Sequence, residues 1–215
     1  HGHVNHLMDR SDAVFLPFYL EKKASEKGVR RQYCYYTQFA PSLISASGIG
    51  KDGKKLLTPL IDYLYGSFRT KMELHAMLKT ITKPPMGFLE VSKAYETARE
   101  YQKSRFLKLK EIYRKESLEH EDLHVVLLGR PYTTLSKTMN KGIPDIFSSL
   151  GIRAYFQDML SYTHEDTAPI RKLLDEIHWH YAAEILKAAQ VVAQSERAYP
   201  VMVTSFRCTP DAFVM

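Results

Sequence analysis

The sequence predicts an α/β fold with a Rossmann-like or flavodoxin-like parallel sheet, and three observations carry that expectation. Short apolar runs of strand length recur in the last third of the chain: HVVLL at 124–128, RAYF at 153–156 and PVMVTSF at 200–206. Helical stretches separate them, long enough for right-handed crossovers that return each strand parallel to the last. The chain has 215 residues, with 45% apolar and 25% charged side chains, enough to bury one large core or two small ones.

In order along the chain, residues 4–10 predict a short helix, and AVFLPF at 13–18 a buried strand closed by Pro17. The polar stretch 21–28 predicts a loop. RQYCYY at 31–36 is rich in strand-favouring aromatics, which places Cys34 at or just beyond a strand end, before a turn containing Pro41. GIGKDGKK at 48–55 reads as a mobile surface turn. A helical pattern over 70–83 is broken by Pro84 and Pro85, and a long helix follows from about 88 to 115. Along it Val91, Tyr95, Ala98, Phe106, Leu109 and Tyr113 recur near the 3.6-residue period, as a packing stripe would. The expected organisation is an N-terminal α/β part over 1–85, a linking helix over 86–122 and a Rossmann-like lobe over 123–215. Within the lobe, a Gly-Arg-Pro turn follows 124–128, and helices are expected over 141–150 and about 170–194.

Composition excludes several classes. The formal charge is +6, but the basic stretches 21–31 and 99–115 also hold acids, and Glu116, Glu119, Glu121 and Asp122 follow the second directly. Such runs form solvated faces, and no nucleic-acid surface is expected. No apolar run approaches the roughly 20 residues of a membrane helix, and no secretory pattern opens the chain, so a cytoplasmic protein without membrane contact is expected. The start at His1 and the stop at Met215, shortly after a cysteine-bearing segment, suggest a piece of a larger parent chain, and a homo-oligomer is the other expected setting. His178 and His180 are two apart on an expected helix and cannot face one metal together. His3 and His6 could share a helical face but have no third ligand nearby.

The residues with chemical potential fall at expected sheet edges. Cys34 and Cys208 are the two cysteines, and a disulfide between them would be unusual in a reducing compartment. Cys208 follows a strand and precedes Thr209, Pro210 and Asp211, a sequence suited to opening a helix whose positive end favours a thiolate. Metal or redox chemistry and two inert packing thiols both remain open at this level. An ordinary cubane iron-sulfur cluster takes four cysteine thiolates, so any cluster must borrow ligands from outside this chain. Gly129 permits a tight turn after the strand, and Arg130 emerges at the crevice, where its planar fork suits a phosphate or carboxylate as well as a structural ion pair. Asn140 and Lys141, with Gly142, open the next helix and could add an anion-binding terminus.

The same segments carry a family resemblance. HGHVNHLMDRSDAVFLPF at 1–18, YCYYTQFAP at 33–41, VVLLGRPYTTLSKTMNKGIPD at 125–145 and SFRCTPDAF at 205–213 resemble, in order, the region of unknown function fused to or partnered with the ATP-dependent activases of 2-hydroxyacyl-CoA dehydratases. The resemblance is weakest over about 45–120. It implies an iron-sulfur cluster with Cys34 and Cys208 among its metal ligands, a further cysteine upstream of the first segment, and an ATP-dependent activase domain or subunit as partner. It also implies electron transfer towards a CoA ester. Phe206, Tyr33 and Tyr35 would then shield the cluster from water.

Overall fold

The computed structural model describes residues 2–24, 28–48, 55–64, 66–205 and 208–215. The chain divides into two compact units, His1–Arg99 and Glu100–Met215, and the division falls inside one long helix.

The first unit contains α1 (Gly2–Met8), β1 (Ala13–Phe15), β2 (Phe18–Lys23), β3 (Arg30–Gln32), α2 (Tyr35–Ala46), β4 (Lys55–Leu57), β5 (Leu60–Tyr63), α3 (Ser67–Leu78) and the start of α4 (Phe88–Glu119). β1 pairs with β4 in parallel. A second sheet runs β3-β2-β5, antiparallel between β2 and β3 and parallel between β2 and β5.

Three expectations are corrected here. The predicted loop at 21–28 begins as strand, because Glu21, Lys22 and Lys23 pair with Gln32, Arg31 and Arg30 across the ladder. Glu21 is buried and accepts two hydrogen bonds from Arg30, at 2.9 and 2.6 Å, a fork that holds a polar strand pair together without an apolar face. The turn expected at Pro41 is instead the interior of α2. Pro41 deprives that helix of one N–H, yet Pro41 and Ile44 are both buried, so packing outweighs the missing bond. β4 and β5, split by Pro59, went unpredicted. Of the turn expected at 48–55, residues 49–54 lie outside the described residues and Lys55 already opens β4.

The second unit continues α4 and adds β6 (His124–Leu128), α5 (Pro131–Thr134), α6 (Lys137–Asn140), α7 (Ile143–Ser149), β7 (Arg153–Phe156), α8 (Arg171–Glu176), α9 (His180–Ala193), β8 (Ala198–Met202) and α10 (Thr209–Val214). Its sheet is wholly parallel in the order β7-β6-β8. The first strand stands in the centre, the second on one side and the third on the other, as in a flavodoxin-like sheet, and the α/β class expected from sequence is what forms.

Alternation along β6 explains why both faces are covered. Val126 and Leu128 join Tyr155, Leu160, Ile185, Ala188 and Val192 in one core. Val125 and Leu127 join Val203 in another, flanked by Ile143 and Phe147 of α7. The helix expected over 170–194 is broken between α8 and α9, where Ile177 is extended and buried with Leu174, Ala182 and Ala183. Burying that side chain outweighs one continuous helical ladder. β8 begins at Ala198 and ends at Met202, earlier than expected.

The stripe on α4 is also corrected: Val91 is buried, whereas Phe106 and Leu109 are exposed. What fastens the second half of α4 is aromatic. Tyr113, His124 and Tyr155 meet edge to face, with centroids 5.0–5.8 Å apart. The Tyr113 hydroxyl lies 3.2 Å from His124 Nε2, and the Tyr155 hydroxyl donates to Glu116 Oε2 at 2.8 Å. Burial, aided by that carboxylate, pushes Tyr155 up to about 12.

Candidate functional site

Each cysteine sits where a strand gives way to a helix. β3 ends at Gln32, and Cys34 occupies the N-cap position of α2, its carbonyl accepting from Gln38 N at 3.0 Å. Gln38 Nε2 donates back to Tyr33 O at 2.8 Å, which fixes the turn around the cysteine. Cys208 caps α10 in the same way, its carbonyl accepting from Ala212 N at 2.9 Å and its own N–H donating to Ser205 O at 3.1 Å. Both thiols are free and half-buried, and neither makes a side-chain capping bond. Of the expected shielding residues, Tyr33 is half-buried against Tyr19, Tyr35 is exposed, and Phe206 lies outside the described residues. Cys34 belongs to the first unit and Cys208 to the second.

The second unit brings more than a thiol to its sheet edge. Order β7-β6-β8 makes the gap between the carboxyl ends of β6 and β8 the topological switch point, where open parallel sheets take their ligands. Gly129 ends β6 there with φ +151, and a Cβ added to it would lie 2.3 Å from Val203 O. Only glycine allows that approach. Its N–H donates to Gln157 Oε1 at 2.9 Å, which ties the end of β6 to the end of β7.

Arg130 follows, 2% exposed, as the N-cap of α5. Its Nε donates to Asp211 Oδ1 at 2.9 Å, and Asp211, 1% exposed, accepts on Oδ2 from Thr204 Oγ1 at 2.7 Å. The Tyr181 ring lies 6.0 Å from the guanidinium carbon. Burial opposes the charge on Arg130, but Asp211, with Tyr132 and Cys208 behind it, outweighs that and raises the pKa above the ordinary arginine value. Cys208 caps the helix whose first turn carries Asp211, the residue that bonds the guanidinium. Two polar atoms at this edge are buried with no hydrogen-bond partner: Arg130 Nη2 and Thr133 Oγ1.

The remaining predicted site residues have local roles. Asn140, buried, donates from Nδ2 to Thr134 O at 2.7 Å and accepts from Gly142 N at 2.9 Å, which shapes the turn between α6 and α7. Lys141 is exposed in the left-handed region at φ 55. His3 and His6 are exposed on α1, and His6 Nδ1 is 3.1 Å from Arg10 Nη1. Among the described residues, no group of three or more His, Cys, Asp or Glu side chains could hold a metal ion. No described helix is long and apolar enough to cross a membrane. Asp211, Thr204, Thr133 and Gln157 were not singled out as site residues from sequence. Asp211 lies 81 positions from Arg130, and nothing local marks the pair.

No curated protein and no solved structure matches the chain. The family model described as CoA enzyme activase uncharacterised domain matches residues 1–160, taking in Cys34 and the Gly129-Arg130 turn and ending before Cys208. That span is well over half of the 215 residues, and the chain belongs to this CoA enzyme activase domain family.

Proposed function

We propose that the chain is an iron-sulfur cluster-binding electron-transfer module that works in the cytoplasm with an ATP-dependent activase domain or subunit, in reduction of the 2-hydroxyacyl-CoA dehydratase type. Cys34 and Cys208 are its metal ligands, and a CoA ester is the eventual electron acceptor. The observation that carries this reading is the matched placement of the two free thiols. Each caps a helix, Cys34 directly after β3 and Cys208 at the end of the segment that follows β8, and each stays half-open to solvent instead of being sealed in the core. Membership of the activase domain family supports the partner.

The donor set fits part of a cluster. A cubane takes four thiolates and the chain has two cysteines, so the other ligands come from outside it. When bound, such a cluster supplies one-electron transfer at low potential. The chain's own contribution is to hold two sulfurs on backbone turns fixed by the Gln38–Tyr33 and Cys208–Ser205 hydrogen bonds. Anaerobic reconstitution of the chain extended upstream should yield iron, sulfide and broad visible absorption, and Cys34→Ala or Cys208→Ala should remove that absorption. A full cluster in both variants would leave a Rossmann-like scaffold with inert thiols.

A further inference from the structure

The buried edge between β6 and β8 holds a charged side chain with an unused donor, and that is costly. A guanidinium removed from water needs its N–H groups paired, and one left unmatched forfeits its hydration without recompense. Arg130 spends Nε on Asp211, yet Nη2 has no partner. One turn on, Thr133 Oγ1 is equally buried and equally without a partner. Both orphans lie just after β6, on the N-cap and first turn of α5, and the half-open Cys208 follows β8 on the other side of the switch point.

We propose that this edge of the sheet binds a compact oxyanion, received by Arg130 Nη2 and Thr133 Oγ1 beside Cys208. Asp211 does not fill that role. Its Oδ1 is taken by Nε and its Oδ2 by Thr204, and neither oxygen bonds Nη2. Because Asp211 cancels the arginine's net charge, recognition comes from short-range N–H and O–H donation and not from a long-range field. The inference does not need iron, so it stands or falls apart from the cluster reading.

Alkylation of the metal-free chain tests it. Iodoacetate carries a carboxylate and iodoacetamide does not, while the same thiolate attacks the CH2 carbon of either and displaces iodide, so the ratio of their rates cancels the thiolate fraction. Measured by mass spectrometry at one pH, that ratio at Cys208 should exceed the ratio at Cys34 in the same molecules by at least about fivefold. In Arg130→Gln combined with Asp211→Asn, which removes the ion pair without stranding a charge, the excess should vanish. Thr133→Val, which keeps the ion pair, should reduce it in part. Equal ratios at the two cysteines, or an excess untouched by both variants, would overturn the proposal. Inorganic phosphate and acetate, added in turn as competitors, identify the source: slower alkylation of Cys208 with one of them names a phosphate or a carboxylate ligand, and protection by neither contradicts the site.

Discussion

β6 in the second unit and β2 in the first are both flanked by two strands, yet they are built on different physics. All five residues of β6 are at most 7% exposed, and its odd and even side chains enter separate cores on the two faces. β2 buries Glu21 and leaves Lys22 and Lys23 in solvent, and its antiparallel partner β3 is Arg-Arg-Gln. The first strand is fixed by apolar burial, which is written in the sequence as a continuous run. The second half of β2 is fixed by a backbone ladder and the Glu21–Arg30 fork, which composition disguises as a loop, while its aromatic first half packs on Tyr33 and Tyr63.

Substitutions can break or sharpen that contrast. The largest loss should come from Leu127→Ala, which opens a cavity between two covered faces and should cost about 4 kcal/mol in denaturant titration. Gly129→Ala should follow at about 3 kcal/mol, since its Cβ would meet the Val203 carbonyl and the chain could not relax without opening the β6–β8 edge. Arg30→Ala in the first unit should cost less, about 1–2 kcal/mol, because Arg30 is largely exposed while the Glu21 it abandons is not. If Arg30→Ala matches Leu127→Ala, the distinction between the two strands fails.

A pH effect should arise at His124 in the second unit. Burial lowers the His124 pKa below its ordinary 6.5, with Arg153 and Arg197 acting in the same sense and the Asp122 backbone opposing. The folded state therefore binds its proton less readily than the unfolded chain does. The stability this gives is complete above 6.5 and is lost as pH falls through the lower folded value. His124→Gln should flatten that acid slope in thermal melts, and an unchanged slope would assign it elsewhere. The smallest effect should be Lys137→Ala: its ion pair with Asp145 is open to water on both sides, and no measurable change in Tm is expected.

The same contrast explains what could be read in advance. The bounds of β6 and β7 were legible to the residue, because apolar runs of strand length bounded by Gly and Pro have few other interpretations. The position of Cys208 before a helix was legible from Thr-Pro-Asp, a local signal. α2 was not, because Pro41 announces a break that tertiary packing overrides. Nor was the Arg130–Asp211–Thr204 network, which joins the turn after β6 to residues more than seventy positions later, an arrangement that only the assembled sheet brings together.

The most direct test of the redox assignment is electron paramagnetic resonance of the dithionite-reduced, anaerobically reconstituted full-length protein, compared with its Cys34→Ser and Cys208→Ser forms. Two thiolates bound to iron predict that each serine form loses the reduced-cluster signal or displaces its g-values, because a hard oxygen has replaced sulfur at the metal. Spectra from both serine forms that superimpose on the parent at full intensity would contradict the account.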